Sequence, residues 1–289
     1  MENLMVDDIC LRARWRLSEV GIVSARAEVD LLKQHFLTGQ NPNIEGFLNA
    51  VADREKRIPL GYILEYAYFD GAKLQVAKDT FVPREQSLPL IEDICSRAER
   101  IDVHRITDIC AGVGPLGISL SRRLKCSSIC FVEFRQEARA VLHNNVRAFV
   151  PKHCAAVISG CDIFTMDPID ERCSNSQIVV ANPPFVPLGQ ASMPEFAIHH
   201  PKDAIFSGID GTDAVKRCCE LAREFLAEGG LLGIEHHESQ VSFVDVLLRR
   251  LGFTDVRHFP DGDGKMRITT AVLGVAAIKP AARLAKLDK

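Results

Sequence analysis

The feature that most constrains this fold is an alternation of short apolar runs with helical stretches, which begins at Ile106. The apolar runs read ITDIC, SICFVEF, AAVIS, QIVVAN, GLLGIE, VRHF and RITTAVL. Alternation of this kind predicts an α/β fold in which a parallel sheet is covered by helices on both faces. The last two runs are separated only by the turn-rich segment PDGDGK, so we expect them to pair antiparallel as a final hairpin.

The residues before the sheet predict a small helical region. Helical patterns cover residues 25–36 and 44–57. We expect Ser24 to cap the first helix, with Val23 as a hydrophobic staple and Gly39 as the stop. Acidic and basic side chains are nearly equal in number here, so this region is not a nucleic-acid-binding arm.

A β-hairpin is predicted between the helical region and the sheet. The runs YAYF and KLQV flank Asp70-Gly71, a favoured two-residue turn pair. The predicted domain boundaries follow, with the helical domain in 1–62, the linking hairpin in 63–80, the α/β domain in 81–274 and a tail in 275–289.

Composition and charge place the chain among ordinary globular proteins. Hydrophobic residues make up 47% of the sequence and charged residues 25%, which excludes a disordered or collagen-like chain. The net charge of −3 gives no general attraction to nucleic acid or to an anionic membrane. No apolar run is long enough to span a bilayer, and the first residues, MENLMVDDIC, carry Asp where a signal peptide carries Lys or Arg. We therefore expect a cytoplasmic protein.

The cysteines and histidines do not predict a metal site. The ten cysteines include no C-x-x-C pair, so we expect them to be reduced and mostly buried as small apolar residues. Cys218 and Cys219 lie on an amphipathic stretch and should face the core. The adjacent histidine pairs at 199–200 and 236–237 point in different directions on a regular element and make poor joint ligands.

A glycine loop, DICAGVGPLG, follows the first apolar run and opens a helix predicted over 116–124. It matches G-x-G-x-x-G from Gly112 to Gly117. Glu133 lies 21 residues beyond Gly112, where an acidic residue would bind ribose hydroxyls. The backbone must approach the cofactor closely whether that cofactor is a nicotinamide dinucleotide or S-adenosylmethionine. The glycine motif alone therefore does not decide between these two cofactors.

Asp108 favours S-adenosylmethionine over a nicotinamide cofactor. A carboxylate at this position would lie near the cationic methionine end of S-adenosylmethionine, whereas a nicotinamide-binding strand usually stays apolar up to its glycines. The plainer alternative is that Asp108 caps the loop and Gly112 only makes a turn. Cys110 stands where this loop more often has Gly, and its side chain could narrow the space beside the cofactor.

The fourth apolar run ends in Asn182-Pro183-Pro184-Phe185. Ligands of an open α/β sheet bind beyond the carboxyl ends of its strands, which brings Asn182 to the active site. The prolines fix the backbone and remove two N–H donors, so their carbonyl groups remain free to accept. A planar nitrogen could be held between the Asn182 side chain and a proline carbonyl, with Phe185 stacked on the flat group. A rigid exit loop after a buried strand would explain only the prolines.

This loop indicates methyl transfer to a planar nitrogen. Transfer from a sulfonium is an in-line displacement that depends chiefly on alignment and desolvation, so neither a metal nor a strong base is needed for an amide nucleophile. A nicotinamide oxidoreductase gives this loop no role, and the sequence offers no plausible Tyr-x-x-x-Lys pair. An RNA guanine methyltransferase would use the loop but would need a basic track. A non-catalytic relative would be expected to have lost Asp108, Gly112, Gly114 or Asn182, and all four are present.

With these residues, the chain resembles the peptide-chain release factor glutamine methyltransferases, which methylate the amide nitrogen of a glutamine in a Gly-Gly-Gln loop. The resemblance runs from about 25 to 274 and is carried by ordered segments: ARAEVDLL, RIPLGYILEYAYFDGAKLQV, FVPREQSLPLIE, DICAGVGPLGISL, ANPPF, HHPKDAIFSGIDGTDA and GGLLGIEHHESQ. NPPF alone is weak evidence, because nucleic-acid N-methyltransferases also use it. The resemblance implies a Rossmann-like, seven-stranded methyltransferase sheet with a small N-terminal helical domain for substrate recognition.

The resemblance also implies the site residues. Those implied to bind S-adenosylmethionine are Asp108, Cys110, Ala111, Gly112, Gly114, Glu133, Asp162, Ile163 and Asn182. Those implied to bind the acceptor are Arg84, Asn182, Pro183, Pro184 and Phe185, with Asn182, Pro183 and Phe185 as the catalytic group. Asp162 would sit near the adenine, or it could equally cap a helix.

Departures from the family pattern leave the acceptor open. The family segment P-R-P-E-T-E reads PREQSL here over 83–88, Phe185 stands where Tyr is usual, and His236 stands where Gly is usual. We expect each change to lie on the cofactor or substrate side of the sheet. The acceptor is predicted to be a release factor-like protein, with a free amino acid such as arginine or glutamine as the alternative.

Overall fold

The computed structural model describes residues 2–39, 41–190 and 195–275. Its helices are α1 (Glu2–Glu19), α2 (Ala25–Phe36), α3 (Ile44–Glu55), α4 (Leu60–Leu64), α5 (Leu88–Ala98), α6 (Pro115–Arg123), α7 (Gln136–Phe149), α8 (Asp213–Phe225) and α9 (Val241–Arg250). Its strands are β1 (Tyr66–Phe69), β2 (Ala72–Gln75), β3 (Arg105–Ile109), β4 (Ser128–Val132), β5 (Ala155–Ser159), β6 (Ser176–Ala181), β7 (Leu226–Glu235), β8 (Phe253–Pro260) and β9 (Met266–Leu273). Within these ranges, no helix combines the length and apolar character needed to cross a bilayer.

The seven strands from β3 onward form one sheet in the order β5-β4-β3-β6-β7-β9-β8. Strands β3 to β7 run parallel, and β9 pairs antiparallel with both β7 and β8. The predicted α/β fold and the predicted final hairpin are therefore confirmed.

Helices cover both faces of the sheet, because its central strands are apolar on both sides. In β6, Ile178 and Val180 enter the core beneath α5 and α6, whereas Val179 and Ala181 enter the core beneath α8 and α9. Alternation of side chains along a strand requires this division. Cys218 and Cys219 are buried in the second core, as predicted.

The N-terminal helices surround a core of their own, which includes Leu17, Leu32 and Phe47. The hairpin of β1 and β2 contacts both parts of the chain, since Phe69 and Leu74 pack in the core of the sheet and Tyr66 packs against the N-terminal core. The predicted hairpin and its Asp70-Gly71 turn are confirmed. The domain boundaries remain predictions.

Details of the helix ends differ from the sequence prediction. The side chain of Val23 is fully exposed, so the predicted hydrophobic staple is wrong. Helix α2 already ends at Phe36, before the predicted stop at Gly39. Helix α3 ends at Glu55, and the left-handed backbone of Arg57 (φ 65°) prevents its continuation to the predicted end. The predicted tail lies outside the described residues from position 276 onward.

A buried ion-pair network connects the N-terminal helices to a segment that follows β6. Arg54 on α3 donates through Nε to Glu28 (2.6 Å) and through a terminal nitrogen to Glu195 (2.9 Å). Arg57 donates to Glu195 as well. The side chains of Arg54 and Glu195 are almost completely buried, so each depends on its partners for compensation of its charge.

Replacement of Arg54 should destabilise the protein strongly. Arg54→Met keeps the apolar stem but leaves Glu28 and Glu195 with less compensation, and we expect a loss of about 3 kcal/mol in the free energy of unfolding by urea. Arg26→Met, which changes an exposed arginine on α2, is the matched control and should cost less than about 0.5 kcal/mol. Equal losses in the two variants would contradict the importance of the network.

Candidate active site

A cavity of about 730 Å³ opens at the carboxyl ends of β3, β4, β6 and β7. The predicted site residues that line it are Arg84, Asp108, Cys110, Ala111, Gly112, Glu133, Asp162, Ile163, Asn182, Pro183, Pro184 and Phe185. Gly114, which was predicted to bind the cofactor, is not among the lining residues. Predicted site residues that lie far apart in the sequence, such as Arg84 and Phe185, therefore line the same cavity.

The glycine loop between β3 and α6 uses left-handed backbone at Cys110 (φ 58°), Gly112 (φ 57°) and Gly114 (φ 91°). A Cβ added to Gly112 would meet no atom within 4 Å, so this glycine faces the open cavity. A Cβ on Gly114 would come within 2.6 Å of Leu142, so Gly114 is required for packing beneath the loop. Cys110 adopts the same backbone region with a side chain, at a cost of roughly 1–2 kcal/mol.

Asp108 is buried at the end of β3 and binds the start of helix α6. Its Oδ2 accepts a hydrogen bond from the backbone N–H of Gly117 (2.8 Å). A Cβ on Gly117 would lie 2.9 Å from the same oxygen, so the glycine permits this contact. Burial raises the pKa of Asp108 to about 7. The capping role considered as the plainer alternative is therefore present, and the carboxyl also lines the cavity.

Glu133 follows β4 and is fixed by two backbone donors. Its two carboxylate oxygens accept from the N–H groups of Gly112 and Arg135, both at 2.8 Å. Burial raises the pKa of Glu133, while these hydrogen bonds act in the opposite direction. The carboxylate is thus held rigidly beside the glycine loop at the cavity wall.

Two aromatic side chains at the same end of the cavity were missed by the sequence analysis. Phe134 is 46% exposed and Phe164 is 56% exposed, and both line the cavity. Asp162 accepts through Oδ1 from the N–H of Phe164 (2.9 Å), so it caps a turn that presents this ring. Each phenylalanine directly follows a predicted site residue, which was the available sequence signal.

The loop after β6 is fastened to the segment that precedes α8. The Gln240 side-chain amide donates to the carbonyl groups of Phe185 (3.0 Å) and Asp210 (3.2 Å). The N–H of Val186 donates to Ile205, and the N–H of Ser207 donates to Val186. These bonds hold the two prolines and Phe185 in one position relative to the sheet.

The turn between β8 and β9 forms another wall, which the sequence analysis treated only as a turn. Asp263 accepts hydrogen bonds from Arg84 (3.0 Å) and Gln86 (3.2 Å). The N–H of Gly262 donates to the carbonyl of Gln86 (2.9 Å). These partners lie about 180 positions apart in sequence, so no local pattern could reveal them.

Two of the departures from the family pattern lie away from the cavity, contrary to expectation. Leu88 packs against the core beneath α5. His236 is completely buried and uses its two ring nitrogens to contact the carbonyl of His237 and the hydroxyl of Thr269. Neither residue is among those that line the cavity.

Residues 195–206, here called the cover segment, contribute Phe196 and the run from Asp203 to Phe206 to the lining of the cavity. Phe196 stacks on Phe81, with ring centroids 6.1 Å apart and planes within 8° of parallel. The guanidinium of Arg84 lies 5.4 Å from the Phe196 ring centroid. At its far end the cover segment is bound to the loop after β4 by an ion pair between Asp203 and Arg135 (2.7 Å).

Comparison with known proteins finds relatives that are named methyltransferases. No family model matches the chain. It is 29% identical over 268 residues to the release factor glutamine methyltransferase of Mycolicibacterium smegmatis, an alignment that covers 88% of this chain and 93% of the relative. It is also 29% identical over 260 residues to a 4-amino-L-phenylalanine/4-methylamino-L-phenylalanine methyltransferase of Streptomyces pristinaespiralis, with 83% and 86% covered. The predicted resemblance to release factor glutamine methyltransferases is confirmed over most of the chain.

A solved structure supports the fold. The 16S rRNA N2 G1207 methyltransferase of T. thermophilus, in complex with AdoMet and guanosine, aligns with a TM-score of 0.50 at 19% identity. The alignment covers 72% of this chain and 49% of that one. The Rossmann-like methyltransferase fold is therefore confirmed, and the names of the relatives above confirm the predicted enzyme class.

The contact between Gly211 and the loop after β6 should be sensitive to a single methyl group. A Cβ on Gly211 would overlap the carbonyl oxygen of Phe185 and lie 2.8 Å from Nε2 of Gln240. Gly189 has a similar left-handed backbone, but its Cβ would meet no atom of the described residues within 4 Å. We expect Gly189→Ala to cost about 1 kcal/mol and Gly211→Ala about 2–4 kcal/mol in urea unfolding. Similar losses of unfolding free energy in the two variants would show that the close contact between Gly211 and Phe185 does not restrict the residue at position 211.

Proposed function

We propose that this protein is an S-adenosylmethionine-dependent N-methyltransferase whose first acceptor is the amide of a glutamine in a release factor-type protein. The observation that carries the proposal is that one cavity combines the Gly112 and Glu133 wall with the loop from Asn182 to Phe185. The wall formed by Gly112 and Glu133 is suited to bind a nucleoside, and the loop from Asn182 to Phe185 is suited to hold a planar nitrogen. The names of the curated relatives support this combination.

The residues at one end of the cavity fit S-adenosylmethionine. The open space beside Gly112 lets a ligand approach the backbone, and the fixed carboxylate of Glu133 is suited to accept from ribose hydroxyls. The exposed rings of Phe134 and Phe164 offer flat apolar surfaces for a base. Asp108, Cys110, Ala111, Asp162 and Ile163 complete this wall. The cofactor supplies a methyl group on a positively charged sulfur, which makes that methyl carbon electrophilic.

The loop after β6 orients the acceptor nitrogen. The side-chain oxygen of Asn182 and the carbonyl of Pro183 accept the two N–H groups of a primary amide, and Phe185 stacks on its plane. Pro183 and Pro184 lack N–H groups, so neither proline can act as a competing donor here. This alignment, together with exclusion of water by the cover segment, provides the rate enhancement.

There are two candidate methyl acceptors, with the glutamine of a protein as the first and a free amino acid as the second. Seven of the curated relatives are named release factor glutamine methyltransferases. The contact of Glu195 with Arg54 and Arg57 brings the N-terminal helices next to the cover segment, which supports their role in substrate recognition. The stacked Phe81 and Phe196, together with the relative that methylates 4-amino-L-phenylalanine, favour a free amino acid as the second candidate.

The cofactor assignment predicts a specific loss of affinity. Glu133→Ala removes a charged hydrogen-bond acceptor, so the binding free energy of S-adenosylhomocysteine should become less favourable by about 1.5–3 kcal/mol. The dissociation constant measured by calorimetry should therefore rise roughly 10- to 150-fold. Glu137→Gln removes a nearby exposed charge and should leave the affinity unchanged. NADH should bind neither protein. Unchanged affinity in Glu133→Ala would contradict the site as drawn.

The acceptor assignment is tested with labelled cofactor and mass spectrometry. A Gly-Gly-Gln-containing release factor, free glutamine, free arginine and 4-amino-L-phenylalanine are compared as acceptors, and methyl incorporation into the release factor glutamine is expected. Asn182→Ala should retain S-adenosylhomocysteine affinity while turnover falls by about 10²-fold or more, because orientation is lost. Incorporation into a free amino acid with none into the factor would overturn the first acceptor.

A further inference from the structure

A second polar group lies beside the acceptor loop at the edge of the sheet. Ala181 pairs with Ile234 in the parallel register of β6 and β7, so Asn182 and Glu235 occupy the next position on neighbouring strands. Both side chains line the cavity. Neither the predicted site nor the proposed orientation of the acceptor nitrogen uses Glu235.

The Glu235 carboxyl is deeply buried and incompletely paired. Its exposed fraction is 7%, and its Oε1 has no hydrogen-bond partner among the described residues. The groups that face it are Ser87, Asp261, Arg84 and Arg267. Burial raises its pKa to about 7, and Asp261 acts in the same direction, while the Ser87 hydroxyl and the two arginines oppose the shift. A buried carboxyl oxygen with no partner is costly unless a ligand supplies one.

The loop after β6 offers no hydrogen-bond partner to the carbonyl oxygen of a primary amide. Asn182 and Pro183 can accept from its two N–H groups, but its carbonyl oxygen still needs a hydrogen-bond donor from the cavity wall. Resting on the proposed function, we propose that Glu235 recognises the acceptor amide by donating a hydrogen bond from its protonated carboxyl to the amide carbonyl oxygen. A guanidinium acceptor presents only N–H groups at this position and would require the carboxylate form instead.

The two acceptor classes have opposite pH dependence. Glu235 can donate only while protonated, so kcat/KM for an amide acceptor should fall as the pH rises through about 7. For a guanidinium acceptor, kcat/KM should rise over the same interval. Glutamine mimics the protonated carboxyl because its side-chain NH2 group donates at every pH, so Glu235→Gln separates the two cases.

The experiment measures kcat/KM between pH 6 and 9 with the full-length protein, labelled S-adenosylmethionine and the best acceptor from the panel above. For an amide acceptor, we expect Glu235→Gln to stay within about threefold of the wild-type maximum and to lose the alkaline decline. Glu235→Leu should lose about 10- to 100-fold, because the carbonyl has no donor. Glu228→Gln, on the exposed opposite end of the same strand, should behave as wild type.

Calorimetry with S-adenosylhomocysteine and thermal unfolding of each variant separate acceptor recognition from cofactor binding and from folding. A wild-type enzyme that methylates an amide while Glu235→Leu retains its activity would overturn this inference alone. The same holds if the decline above pH 7 persists in Glu235→Gln. A wild-type enzyme that methylates only arginine or an aromatic amine would overturn the proposed acceptor and this inference together.

Discussion

Backbone hydrogen bonds between β3 and its two parallel neighbours are the constraint on which the site depends. Ile109 at the end of β3 pairs with Val132 on β4 and with Ala181 on β6. The residues that follow β3, β4 and β6 therefore lie in one row at the sheet edge, namely Cys110, Glu133 and Asn182. The row continues with Glu235, the last residue of β7, because Ile234 pairs with Ala181. A slip of one residue in either pairing would turn a whole strand over and remove its member of the row from the cavity.

The sequence predicted Cys110, Glu133 and Asn182 as site residues because their positions follow from local patterns, but it did not predict Glu235. Apolar runs define the strands, and the residues that end them are read directly from the chain. The cover segment and the wall at Asp263 could not be found in the same way, because they depend on contacts between residues far apart in sequence. The different surroundings of Gly112 and Gly114 could not be predicted for a related reason: the two loop positions look alike in the sequence, and only the packing of Leu142 against Gly114 separates them.

Burial of carboxyl groups is the common electrostatic property of the cavity. Asp108, Glu133 and Glu235 all have a raised pKa, with burial as the main cause in each case. A chain that only needed to fold would gain little from three such groups at one edge of its sheet, since each pays for desolvation. Their presence is explained when they face polar ligands, and perturbed groups that gather in one cleft are typical of functional sites. The helices on both faces make this possible by keeping water from the sheet.

The cover segment is held by different ion pairs at its two ends, and the two attachments respond differently to ionic strength. Glu195 is held in a buried network by Arg54 and Arg57, whereas Asp203 pairs with Arg135 at a partly exposed position. Dissolved salt screens the exposed pair far more than the buried one. High salt should therefore weaken the contact between Asp203 and Arg135, while the backbone hydrogen bond from Val186 to Ile205 and the buried pairs of Glu195 keep the segment in place. Ionic strength would therefore act on the contact between the cover segment and the loop after β4, with little effect on how firmly the N-terminal helices are attached.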